Sequence, residues 1–176
     1  ALGADMVAYA ESAELAEKGF LPSSCCPAFV DYVEKQFPQL KEHVSHNLSP
    51  AATIAKYIKE TTPNAKIVFI GPCTAKKMEF QKEELKPYID STITFEELQA
   101  LFDSRDIDLK SLEEGVLDNA SYYGRIFARS GGLSDAVTQA LKEQGFDQTF
   151  ELKGIAWDGM EAWRMALLKG FKKVLP

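Results

Sequence analysis

The sequence predicts an α/β domain with a largely parallel sheet flanked by helices, and three observations carry that expectation. The run Ala65 to Ile70 (AKIVFI) is short, continuous, apolar and rich in β-branched residues, the pattern of a strand buried on both faces of a parallel sheet. Helix-start signals alternate with strand-like runs along the chain. The composition is that of an ordinary globular protein: 176 residues, 45% hydrophobic and 26% charged, enough for a single domain over residues 1–176 with a real core.

In order, Asp5 can cap a helix running to about Lys18, with Leu2, Met6, Ala10 and Ala13 on its apolar stripe and Gly19 as its stop. The opposite stripe carries Glu11, Glu14 and Lys18. Pro27 suits a first helical position, and Phe29, Val30, Val33 and Phe37 recur at helical spacing after it. Ser49 with Pro50 opens a helix through Ile54, Tyr57 and Ile58 that ends before Pro63. After the strand at 65–70, Thr74 can cap a helix through Phe80. Ser91 to Ile93 is strand-like, and Thr94 with Glu97 forms a capping box for a helix through Leu98, Leu101 and Phe102. Residues 103–123 are polar and carry little pattern. Ile126 to Ala128 then reads as a strand, Ser134 to Gln144 as a helix stopped by Gly145, and Phe150 to Trp157 as a further strand. Asp158 can cap a last helix through Trp163 and Leu167.

Charge and hydropathy exclude several classes of function. Twenty basic against twenty-six acidic residues give a net charge of -6, which does not suit an extended nucleic-acid surface. No apolar run is long enough to cross a bilayer and no signal-peptide pattern opens the chain, so neither a nucleic-acid nor a membrane partner is expected and the cytoplasm is the expected location. Three cysteines, two of them adjacent, are not the framework of a disulfide-rich secreted protein.

Those cysteines sit where chemistry gathers in such folds, at the ends of strands and starts of helices. In Ser23-Ser24-Cys25-Cys26-Pro27-Ala28-Phe29, Cys26 lies at a helix N-terminus, where free amides and the helix dipole favour a thiolate able to bind metal. The bland reading is a pair of small buried residues. In Gly71-Pro72-Cys73-Thr74-Ala75-Lys76-Lys77-Met78-Glu79, a strand delivers a cysteine to a helix start, and Lys76 one turn on can reach over that end toward an anionic ligand. Its bland reading is a structural turn beside a solvated Lys-Lys pair. His43 and His46 are spaced by three but have no cysteine or carboxylate pattern beside them, and are read as facing solvent. Ser130-Gly131-Gly132 reads as a tight turn rather than an anion site, and Trp157 and Trp163 as core or interface residues.

Together, SSCCPAF at 23–29 and GPCTAKKME at 71–79 resemble the first two signature motifs, TSCCPxW and MPCxxKxxE, of the catalytic domain of iron-only (FeFe) hydrogenases. The resemblance extends over Ala1 to Asp5, Phe37 to Ser45, Ser49 to Pro50 and Gly124 to Ala136, most of the chain. It implies one lobe of a two-lobed α/β domain holding the H-cluster, a 4Fe-4S cubane joined through a cysteine sulfur to a di-iron unit that bears CO, cyanide and a bridging dithiolate. Carried over by motif position, Cys26 and Cys73 are the expected cubane ligands, and Cys25 the thiol that passes protons to the di-iron unit. Lys76 is expected to hydrogen-bond an iron-bound cyanide, with Pro72 and Ser24 as secondary contacts. The family's proton relay maps onto Glu11 and Glu14, spaced by three, and Ser45, twenty residues beyond Cys25.

The implied activity is reversible oxidation of dihydrogen to protons and electrons. Expected partners are dihydrogen and protons as substrates, a ferredoxin-like electron donor or acceptor, and hydrogenase maturation proteins. Three departures stand out: Gly71 replaces the motif's Met, Phe29 replaces its Trp, and the glycine-rich third motif with the remaining cysteine ligands is missing. A cubane takes four thiolates, so the expectation is a fragment of a longer protein, itself without cluster and without activity. The alternatives are a hydrogen-sensing regulatory relative, a non-catalytic iron-sulfur assembly relative and, last, a thiol redox protein with a strained Cys25-Cys26 disulfide.

Overall fold

The computed structural model describes residues 1–116, 119–148 and 150. The chain begins with α1 (Leu2–Lys18), α2 (Pro27–Gln36), a 3-10 helix (Pro38–His43) and α3 (Pro50–Thr61). It continues through β1 (Val68–Gly71), α4 (Ala75–Glu79), β2 (Ser91–Thr94) and α5 (Phe95–Asp103). A second 3-10 turn (Leu109–Ser111), α6 (Tyr122–Ile126) and α7 (Gly132–Glu143) complete the described residues. The fold is α/β and helix-rich, with β1 and β2 pairing in parallel from Val68 opposite Ser91 to Gly71 opposite Thr94.

Helix α1 is the spine, lying against α3 on one side and α6 and α7 on another. Its buried face is Gly3, Ala4, Val7, Ala8, Glu11, Ser12 and Leu15, not the expected stripe; Leu2, Ala10 and Ala13 are exposed. Small residues explain the shift, because they let neighbouring backbones approach. A Cβ on Gly3 would lie 2.1 Å from the Pro50 carbonyl oxygen. Ala8 packs with Ala136 and Ala140, and Leu15 with Val137 and Leu141. Glu11, placed by sequence on the wet side, is buried beside the loop residues Ser23 and Ser45. Gly19 ends the helix as expected, at φ 72° with its amide on the Leu15 carbonyl.

Asp5 does not cap α1, whose first residue follows Ala1. Its carboxylate instead accepts from the Ser121 amide at 2.9 Å and the Ser121 hydroxyl at 2.5 Å, tying the start of α6 to α1. Ser49 caps α3 through the Ala52 amide, and Thr94 with Glu97 forms the expected reciprocal capping box on α5. Thr74 precedes α4 without a side-chain capping bond.

Two strand expectations are corrected. Among the described residues β1 is covered on one face only: Phe69 and Gly71 turn inward, while Val68 and Ile70 are 50% and 43% exposed. A continuous apolar run does not reveal how many faces are covered. The segment around Ile126 is helix, not strand, because Ser121 caps the Gly124 amide and begins a turn that runs to Ile126. The expected strand from Phe150 to Trp157 and the helix after Asp158 lie outside the described residues, Phe150 excepted. Among the described residues no helix is long and apolar enough to cross a membrane.

Candidate functional site

Two loop-to-helix junctions bring the cysteines together. Cys26 is the N-cap of α2, in extended backbone at φ -102°, with Pro27 at the first helical position. Cys73 follows β1, two residues before α4, and is exposed. All three cysteines are free thiols. Burial raises the Cys26 pKa; the Phe29 and Ala28 amides at the helix start oppose it, and the nearby Cys73 adds to the rise. The amides expected at this helix start are present, and without a metal desolvation outweighs them. Cys25 is pushed up to about 11, first by burial, then by the Glu11 and Cys26 charges against the lowering influence of Ser23 and Lys76. It is therefore a thiol at neutral pH.

Lys76 reaches back from α4 to the Cys25 carbonyl at 3.3 Å and pairs with Glu79 at 2.6 Å. Both partners are largely buried, with side-chain exposures of 14% and 8%. The pair is thus shielded from water, unlike the solvated Lys-Lys face of the bland reading, although Met78 beside it is exposed.

A chain of polar groups leads from Cys25 toward solvent. The Ser23 hydroxyl accepts the Cys25 amide at 3.2 Å and donates to Glu11 Oε1 at 2.6 Å. The Ser24 backbone and the Ser45 side chain lie near Glu11 and favour its charged form. Ser45 donates to Glu14 Oε2 at 2.9 Å. Glu14 then meets Lys18 at 2.6 Å, the Asn47 amide group at 2.8 Å and His46 Nδ1 at 3.2 Å. The two carboxyls differ in environment. Burial raises Glu11 above the ordinary carboxylate range, despite the lowering influence of Ser23, Ser24 and Ser45. Burial also raises Glu14, but bonds from Lys18, Ser45 and His46 outweigh it and hold the carboxyl below that range.

The sequence-named residues Cys25, Cys26, Cys73, Lys76, Glu11, Glu14 and Ser45 thus lie along one path. Pro72 is exposed beside Cys73, and the Ser24 hydroxyl donates to the Asn47 carbonyl at 2.6 Å, holding two loops together. Sequence reasoning misses Ser23, Asn47, Glu79 and His46 as members of the site. Ser23 and Glu79 stand inside the two motifs. His46 reads as facing solvent because Glu14 is remote in sequence; its ring is exposed, yet it meets that carboxylate.

As donors, Cys26 and Cys73 are two soft sulfurs close enough to influence each other's charge, with the Lys76 ammonium near Cys26. That set fits two corners of an iron-sulfur cluster and an anionic ligand beside them, and supplies two of the four thiolates a cubane takes. Among the described residues, no group of three or more His, Cys, Asp or Glu side chains is gathered to hold a metal ion alone.

The sequence pattern of the family described as "Iron only hydrogenase large subunit, C-terminal domain" matches residues 1–174. The chain is 30% identical to iron hydrogenase 1 of Clostridium pasteurianum, over 88% of this chain and 30% of that protein. It is 36% identical to the cytosolic Fe-S cluster assembly factor NAR1 of Kluyveromyces lactis, over 53% of this chain and 20% of that one. An apo FeFe hydrogenase variant from Chlamydomonas reinhardtii superposes with a TM-score of 0.65 at 28% identity, over 88% of this chain and 46% of that structure. The chain therefore spans less than half the length of these relatives.

Proposed function

Since the chain belongs to the family formed by the C-terminal domain of the iron-only hydrogenase large subunit, we propose that it is the proton-delivering, cluster-holding lobe of a hydrogenase that interconverts dihydrogen with protons and electrons. The observation that carries this reading is the run of polar side chains Glu14, Ser45, Glu11 and Ser23 leading to the Cys25 backbone, hydrogen-bonded from Ser45 to Glu14 and from Glu11 through Ser23 to Cys25, with Ser45 near Glu11. A purely structural cluster site has no use for a buried carboxyl aligned behind a protonated thiol.

In this reading Cys26 and Cys73 hold two corners of the cubane, and the remaining thiolates come from outside this sequence. The H-cluster, when bound, supplies the electrons and the metal at which dihydrogen is made or split. The chain's own residues manage the proton. Glu14 takes it from water at the exposed end, where Lys18 and His46 hold the carboxylate in place. Ser45, bonded to Glu14 and near Glu11, relays it to Glu11, whose raised pKa suits it to hold a proton. The Cys25 thiol, next to Glu11, carries it onward. Lys76, shielded from water and fixed by Glu79, donates to an anionic ligand of the di-iron unit, where a charged hydrogen bond is strong. Ser24 keeps the loop shape, and Pro72 fixes the backbone before Cys73. A ferredoxin-like electron partner, hydrogenase maturation proteins and a cytoplasmic location go with this reading.

A second reading, a non-catalytic iron-sulfur assembly protein, is favoured by the 36% identity to NAR1 and by Gly71 in place of the motif's Met. Dihydrogen evolution from a reduced dye distinguishes the two. The natural protein containing this chain is made anaerobically with the di-iron unit installed, beside its Cys25→Ser variant. Evolution that is lost in the variant supports the hydrogenase; bound iron and sulfide with no evolution in either protein favours the assembly relative.

A further inference from the structure

The Lys76 ammonium is held by more than its carboxylate. Phe69 and Gly71 stand two apart on β1, so their side-chain positions share one face of the strand. A Cβ placed on Gly71 would lie 2.7 Å from Phe69 Cε1 and 2.8 Å from Cζ, closer than carbon atoms approach. The Phe69 ring therefore occupies the room a side chain at 71 needs. It stands edge-on to the buried Phe80, with centroids 5.5 Å apart and planes at 60°. Lys76 Nζ is 6.0 Å from the Phe69 centroid and 5.8 Å from that of Phe80, at the outer range of cation-π contact.

Glu79 and the Cys25 carbonyl bind the ammonium, and the Phe69 and Phe80 rings flank it at 6.0 and 5.8 Å. A lysine stem is flexible, and one ion pair does not fix where the remaining N–H groups point. We propose that Phe69 is the positioning residue for Lys76, and that position 71 is glycine because the ring takes that space. This rests on the functional reading above for its purpose, though not for its geometry. The motif's Met and this chain's Phe69 are then exchanged solutions, one apolar group supplied from position 71 or from two residues earlier on the same strand face.

The test uses the natural protein containing this chain, anaerobic and without the di-iron unit, with carbon-13-labelled lysine. The Lys76 ε-methylene resonance, assigned by its loss in Lys76→Arg, is expected upfield of the other lysines because of the two rings. That shift should fall in Phe69→Val, where only the Phe80 ring remains, and persist in Phe69→Tyr. Gly71→Ala keeps Phe69 but displaces its ring, and should also reduce the shift. Gly71→Met should lower the melting temperature in the native background and do so far less in the Phe69→Val background. An unchanged Lys76 resonance in Phe69→Val or Gly71→Ala, or equal costs of Gly71→Met in the two backgrounds, overturns the proposal. In the loaded protein, infrared cyanide bands that move together with the lysine signal support both claims. Bands that stay fixed while the lysine signal moves support Phe69 as the positioning residue and overturn the reading of Lys76 as the donor to cyanide.

Discussion

Ser23 donates its hydroxyl proton to Glu11 Oε1 at 2.6 Å and with the same oxygen accepts the amide of Cys25 at 3.2 Å. One small side chain thus fixes the buried carboxyl relative to the loop that carries the thiol. Ser23→Ala removes both bonds, leaving the carboxyl less well held and the amide without its acceptor. On the proposed function, the expected outcome in the natural protein containing this chain is a fall in dihydrogen turnover of about 10²-fold, the low end of what general acid-base groups contribute. Iron and sulfide content should be unchanged, which metal analysis checks.

Glu11→Gln keeps the shape but removes the proton-carrying carboxyl of the proposed relay, so on that reading turnover should fall by about 10² to 10⁴-fold. Its effect on stability has a definite sign. Burial raises the folded-state pKa of Glu11 above 4.5, so the folded protein binds more protons than the unfolded chain as pH rises from 4.5 to the raised value. Glu11 therefore costs stability progressively over that window, and the cost stays constant above it. Glu11→Gln should remove this slope and raise the melting temperature more at neutral pH than at pH near 4.5.

Glu14 has the opposite sign. Its folded-state pKa lies below 4.5, so its contribution is present above 4.5 and is lost as pH falls through the lowered value. Glu14→Gln should remove stability at neutral pH and flatten the acid limb of the melting curve below 4.5. Melting temperatures of the two Gln variants, followed across pH, check both slopes.

Thr94 joins β2 to α5 through a capping box in which each partner satisfies the other's amide. Thr94→Ala should cost about 1 kcal/mol, the typical value of an N-cap side chain. Urea denaturation measures it.

Gly3 marks the closest approach of α1 to α3, with the Pro50 carbonyl 2.1 Å from where a Cβ would stand. Gly3→Ala must push the two helices apart and should cost about 1 to 3 kcal/mol, the range for overpacked sites. Because α1 carries Glu11 and Glu14, turnover should fall alongside stability; activity and melting measured on the same sample check the link.

Local chemistry makes much of the fold legible. The stops and caps at Gly19, Ser49 and Thr94, and Pro27 at a helix start, appear where their backbone preferences place them. The misreadings arise where long-range packing decides. Glu11 reads as part of a wet face because a glutamate in an amphipathic helix usually belongs there, yet the loops that carry Ser23 and Ser45 cover that side of α1. Asp5 looks like a cap until its partner 116 residues away is seen. Ile126 looks like a strand because a short apolar segment does not reveal its period. In the site, the two cysteine motifs and the glutamate spacing are readable because they are local. His46, Asn47 and the pairing of Phe69 with Gly71 are not, since each depends on which surfaces the fold presses together.

The parallel pairing of β1 with β2 has a consequence for how the site comes into being. Parallel strands cannot zip outward from a tight turn; the residues between them, 72–90, must close as a loop before the ladder forms. That loop carries Cys73, Lys76 and Glu79. Closing it sets these groups at the sheet's end in the same event that joins the strands. Sheet formation and assembly of this half of the site are therefore one cooperative step, and a chain that has not yet folded its sheet has no cradle to offer a cluster.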